Sequence, residues 1–114
     1  MRHRPPEEVQ ASRCAVEYAL DAISGKWKVM VLYQLMLEGM LRFNQLRRRL
    51  PGVTQRMLTK QLRELEAEGL ITRLVHAEVP PRVEYRLTSQ GEELRPVIDL
   101  LRQWGMRRGA DGGG

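Results

Sequence analysis

The chain has 114 residues, 42% of them apolar and 29% charged, a balance that fits one soluble globular domain rather than a disordered segment. Nineteen lysines and arginines against 14 acids leave a formal charge of +5, an excess whose placement matters more than its size. The longest apolar stretch, Val29 to Leu37, is broken by Gln34 and too short to cross a bilayer, and residues 1–6 are cationic without an apolar run, so neither a membrane partner nor a secretory signal is expected.

In chain order, residues 1–13 are polar and aperiodic and are expected to be a flexible arm. Val16, Leu20 and Ile23 then recur at i, i+4 and i+7, the period of a helix that Gly25 stops. Trp27 to Glu38 is apolar almost all round, which predicts a central helix, and Gly39 closes it. Leu41 to Phe43 reads as a short extended piece. Phe43, Leu46 and Leu50 mark a short helix ended by Pro51-Gly52, because a proline turns the residue before it away from helical geometry. Thr54 suits the N-cap of the next helix. Leu58, Leu62 and Leu65 make one stripe of that helix and Arg56, Thr59, Lys60 and Arg63 fall opposite, with Gly69 as the stop. Ile71 to His76 and Arg82 to Leu87 are rich in Val, Ile and Tyr and flank Val79-Pro80-Pro81, which predicts a hairpin with a proline-stiffened tip. Thr88 is the expected cap of a last helix that carries Leu94, Val97, Ile98, Leu101 and Trp104 along one side, and residues 109–114, mostly glycine, are expected to be a flexible tail.

Two helices joined by a tight turn and followed by a hairpin make a winged helix-turn-helix, here mainly α with a small β-hairpin wing (α+β), over residues 14–108. Such a fold reads double-stranded DNA from the exposed side of its second helix, mostly from the N-terminal half. Thr54, Gln55, Arg56, Thr59 and Lys60 stand there, Gln being suited to adenine and Arg to guanine, while Arg63 lies further along and suits a phosphate. Arg82, next to the hairpin tip, suits a narrowed minor groove, or else pairs with Glu78 or Glu84. Arg47-Arg48-Arg49 fits phosphate contact or a solvated face equally well. Val16 and Leu20 of the first helix and Leu94, Val97, Ile98, Leu101 and Trp104 of the last are the candidate homodimer interface, with some of these side chains serving the protein's own core.

Cys14 is the single cysteine, so no internal disulfide forms. With His3 and His76 as the only other soft ligands, no metal site is expected, and a reducing cytoplasm is the expected home. Cys14 stands at the start of the first helix beside Arg13, where helix dipole and cation both favour a thiolate, so it is either a reactive redox-sensing thiol or an inert, partly buried residue. No phosphate-binding glycine loop and no nucleophile–base pattern is present, so neither catalytic residues nor a cofactor are expected.

The residues that carry a family likeness are Cys14 with Val16-Glu17-Tyr18, Gly25-Lys26-Trp27, Leu41-Arg42-Phe43, Arg56-Met57-Leu58-Thr59, Gln61-Leu62-Arg63-Glu64-Leu65-Glu66, Gly69-Leu70-Ile71, Val79-Pro80-Pro81-Arg82-Val83-Glu84-Tyr85 and Leu87-Thr88. Together they resemble the HxlR-type family of bacterial winged helix-turn-helix transcription regulators, relatives of the MarR type, over about Cys14 to Trp104. The resemblance implies a homodimer joined by its first and last helices, regulation of neighbouring genes through a palindromic operator, and, in some members, sensing of electrophiles or oxidants by the cysteine that matches Cys14. It leaves room for a small-molecule or oxidant effector. The chain departs from the family pattern at Ala15, where proline is frequent, and at His76, where tyrosine is frequent.

Two other functions compete. A winged helix also serves as a protein-interaction module, but such a module would not need the cationic face of Arg56, Lys60, Arg63 and Arg82. A small enzyme with Cys14 as nucleophile lacks an identifiable base, since His3 lies in the arm and His76 far along the chain.

Overall fold

The computed structural model describes residues Cys14–Gly109. The arm expected over residues 1–13, and the tail beyond Gly109, lie outside the described residues. Within them the order is α1 (Ala15–Ile23), α2 (Lys26–Glu38), β1 (Leu41–Arg42), α3 (Phe43–Arg49), α4 (Gln55–Ala67), β2 (Ile71–His76), β3 (Arg82–Leu87), α5 (Ser89–Glu92) and α6 (Arg95–Arg107). The strands form one antiparallel sheet in the order β1-β3-β2, with Leu41 opposite Tyr85 and Ile71 opposite Leu87.

The core grows from stripes legible in the sequence. Val31, Leu32 and Leu35 of α2 join Leu58, Leu62 and Leu65 of α4 in one cluster, with Leu46 of α3 and its C-cap Leu50. Leu41, Ile71, Tyr85 and Leu87 bring the inner face of the sheet onto this cluster, and Ile98 of α6 completes it. Burying one such aliphatic side chain stabilises by about 1.5–3 kcal/mol, so this cluster outweighs any single polar contact in the molecule. α1 has no buried residue, and α6 buries only Ile98.

The turn between α3 and α4 depends on Gly52, whose φ of 95° lies in the left-handed region that glycine enters without strain. Thr54 then caps α4: its hydroxyl oxygen accepts from the Met57 amide at 3.0 Å.

The last helix differs from expectation. Thr88 caps only the short α5, and α6 starts separately at Arg95. Pro96 has no amide hydrogen to give the Glu92 carbonyl, so the backbone ladder cannot run unbroken through it. Gly91 is buried in α5, where a Cβ would overlap the Leu70 carbonyl, and Thr88 ties the same corner by donating from its hydroxyl to the Gly69 carbonyl. Gly25, expected as a helix stop, instead takes the N-cap of α2 with φ of 98°, and α1 ends at Ile23 with Ser24 as its C-cap.

Candidate nucleic-acid interface

α4 buries Leu58, Leu62 and Leu65 and turns its other side outward, leaving Gln55, Arg56, Lys60 and Arg63 exposed and Thr59 half-buried. Gln55, Arg56, Thr59, Lys60, Arg63 and Glu64 line one shallow groove along the helix, so the structure brings together five of the side chains read as contacts. Thr54 stands at the head of the groove with its hydroxyl engaged in the cap.

The basic side chains fall into two groups. Arg49 pairs with Glu38 at 3.1 Å, Arg95 with Glu92 at 2.8 Å and Arg102 with Asp99 at 3.2 Å. Arg56, Lys60 and Arg63 form no ion pair with an acid among the described residues, although the charge of Lys60 helps to lower the Glu64 carboxyl in the same groove. Arg47 and Arg48 are exposed at the end of α3.

Arg82 belongs to the first group. It opens β3 at the foot of the wing and lies 3.2 Å from Glu78 and 3.2 Å from Glu84, so both acids that the sequence offers it are engaged. Its side chain is two-thirds covered. The wing tip beyond it, Val79 to Pro81, is exposed.

Glu84 was not foreseen as a structural centre. It is buried on the central strand, and His76 Nε2 donates to its Oε1 over 2.8 Å. That hydrogen bond, with the charges of His76, Arg82 and Arg86, holds the Glu84 carboxyl below the usual glutamate range against the opposing effect of burial. A second acid, Glu64, is held low chiefly by Lys28, whose Nζ lies 2.8 Å from its Oε1. Lys28 is nearly buried inside α2. A lone lysine in an apolar run is the sequence signal that would have found this pair, because a buried cation requires a partner.

The candidate interface divides. Val16 and Leu20 on α1, and Val97, Leu101 and Trp104 on α6, are all about half exposed or more. Ile98 is not available to a partner: it is 3% exposed, inside the protein's own core, and Leu94 packs against that core too. Val97, Leu101 and Trp104 follow at i, i+4 and i+7 and share the outward side of α6, while Ile98, one residue on from Val97, is turned about 100° from it into the core, and Leu94 precedes the helix as its N-cap. Leu100 and Met106 are exposed on the same helix and were missed. Cys14 is the exposed N-cap of α1, and its side chain makes no capping hydrogen bond.

A capped helix with a cationic outer face, set behind a short helix and in front of a hairpin, is a helix-turn-helix with a wing. The HxlR-like helix-turn-helix family matches residues 22–111. The chain belongs to that family. An HTH-type transcriptional regulator of Methanothermobacter thermautotrophicus is 54% identical over 97 residues, 85% of this chain and 73% of the relative. The solved structure of the redox regulator HypR in its oxidised form is 51% identical with a TM-score of 0.78, covering 82% of this chain and 96% of that one. A structure from Porphyromonas gingivalis assigned to the MarR family of transcriptional regulators is 36% identical, with a TM-score of 0.77 over 92% of this chain and 97% of that one. These likenesses make the chain a member of a transcriptional regulator family with a helix-turn-helix domain. No helix among the described residues is long and apolar enough to cross a membrane.

Proposed function

We propose that this HxlR-family protein is a homodimeric, non-enzymatic cytoplasmic repressor or activator that reads a palindromic operator. In this reading α4 enters the major groove. Gln55, Arg56, Thr59 and Lys60 meet base edges, Thr54 holds the helix start at the backbone, and Arg63 meets phosphate. The observation that carries it is the set of unpaired cations gathered along one groove on the outer face of α4, whereas Arg49, Arg82, Arg95 and Arg102 are engaged by the protein's own acids. Arg82 joins the contact surface at the wing, exchanging one of its two acids for DNA.

Val16 and Leu20 of α1 and Val97, Leu101 and Trp104 of α6 form the dimer contact, because exposed apolar side chains in this density are costly to hydrate. A two-fold axis through that contact spaces the two α4 helices for successive major grooves, about 34 Å apart.

Cys14 is a thiol switch on DNA binding. Its exposure, its place at the head of α1 and the likeness to a redox regulator support this. With one cysteine in the sequence, oxidation yields either a bridge to a second copy or a mixed disulfide with a small thiol. Bulk added there shifts α1 against its partner, and both recognition helices ride on that contact.

Selection of bound fragments from genomic DNA, by oxidised and reduced protein, tests the whole reading. The expected product is a two-fold symmetric site enriched in one redox state. Absence of any enriched site overturns it.

A further inference from the structure

A second cleft, of about 400 Å³, separates α4 from the wing. Thr59, Arg63 and Glu66 form its helical wall, one stripe at i, i+4 and i+7. Arg73 forms the wall on β2, and Phe43 and Tyr85 are part of its floor. Arg73 stands opposite Tyr85 in the strand register, on the side of the sheet that faces α4. Its position was not among those read from the sequence, because arginine in a strand that alternates in burial looks like a solvated side chain.

We infer that this cleft is a binding site for one backbone phosphodiester of DNA, held between Arg63 and Arg73. The inference rests on the DNA-binding reading and adds to it a defined site and a residue outside the recognition helix. Three observations carry it. Arg63 and Arg73 approach from two different elements, and neither pairs with an acid among the described residues. The floor is built from the buried ring of Tyr85 and the partly buried ring of Phe43, which keep water off one side of the anion and strengthen its attraction to both guanidinium groups. The Thr59 hydroxyl adds a neutral donor at the end of the cleft nearer the α4 N-terminus. A strand of DNA backbone that passes between recognition helix and wing would run along this cleft, which lies between α4 and β2.

Glu66 stands in the same wall and opposes an anion. Its charge sets the affinity of the site below what two arginines alone would give.

The probe is a fluorescently labelled duplex of mixed sequence, titrated with the full chain at several salt concentrations. Each lost phosphate contact lowers the slope of log affinity against log salt by about 0.9. Arg73→Ala is expected to weaken binding and reduce the slope by that amount for each protomer on the DNA. Glu66→Gln is expected to tighten binding. Arg86→Ala removes an equal charge from the opposite face of the same sheet and is expected to leave the slope unchanged. Equal slopes for Arg73→Ala and wild type overturn the site while leaving DNA binding intact, as does an equal slope loss for Arg86→Ala. A wild-type protein that binds no duplex overturns the parent reading and the site together. Circular dichroism of each variant excludes misfolding as the cause of a loss.

Discussion

Lys28 of α2 and Glu64 of α4 meet at 2.8 Å, and the pair is lopsided: the lysine side chain is 11% exposed and the glutamate side chain 42%. The contact ties the recognition helix to the central helix at the edge of the groove that α4 presents. Removing the acid leaves a covered ammonium without a partner, whereas removing the lysine leaves a carboxylate that water can reach. Glu64→Ala is therefore expected to destabilise by about 1–2 kcal/mol, less than a fully buried pair because the acid is partly hydrated. Lys28→Met is expected to cost less than half of that. Urea unfolding of both variants checks the asymmetry, and equal losses would refute it.

Two carboxyls make the fold acid-sensitive. Glu64 is held low chiefly by its hydrogen bond from Lys28, and Glu84 chiefly by its hydrogen bond from His76. A carboxyl depressed in the folded state binds fewer protons there than in the unfolded chain, so its contribution is complete above the unfolded value of about 4.3. It is lost as pH falls from there through the lower folded value. Urea midpoints are expected to drop as the solution is acidified below that point, and to drop less steeply in Lys28→Met and His76→Leu. Identical acid limbs in wild type and both variants would show that neither contact matters.

Ile98 and Trp104 lie on the same helix and are expected to fail in different ways. Ile98→Ala opens the core and is expected to cost about 2–5 kcal/mol of stability. Trp104→Glu places a charge where the side chain is 56% exposed, so the fold is expected to persist while association is lost. Unfolding curves and sedimentation velocity, run on both variants, separate the two effects. A Trp104→Glu protein that still sediments as a dimer would rule out this face of α6 as the contact.

Arg56 and Arg63 are both exposed on α4, but Arg56 lies in its first turn and Arg63 two turns on. Arg56→Ala is expected to cost about 1–3 kcal/mol of specific binding and to relax preference at one base position. Arg63→Ala is expected to weaken every sequence alike and flatten the salt dependence by about one unit. Titration of selected and scrambled duplexes distinguishes them; sequence-blind losses from both would end the division of labour.

Cys14 is exposed at the head of α1. Diamide is expected to change operator binding by wild type, reversibly with reductant, and to leave Cys14→Ser unaffected. A bridge between two copies requires their Cα atoms within about 7 Å, and a non-reducing gel shows whether it forms. An indifferent wild type, or an equally responsive serine variant, would leave Cys14 without a sensing role.

Most elements were legible in the sequence, the division of the last helix into α5 and α6 excepted. Leu58, Leu62 and Leu65 at helical spacing, Thr54 as cap, Gly52 in the turn and the proline-tipped hairpin from Ile71 to Leu87 all stand where their local chemistry puts them. Each follows from contacts within a few residues, which any short window of sequence contains. The cationic face of α4 was legible for the same reason. What each charge meets was not. Lys28 finds Glu64 on another helix, Ile98 turns into the core while Trp104 faces out, and Arg73 completes a cleft with Arg63. Those outcomes depend on how helices and sheet are set against one another, and that arrangement is decided by close packing of the shared core rather than by any local period.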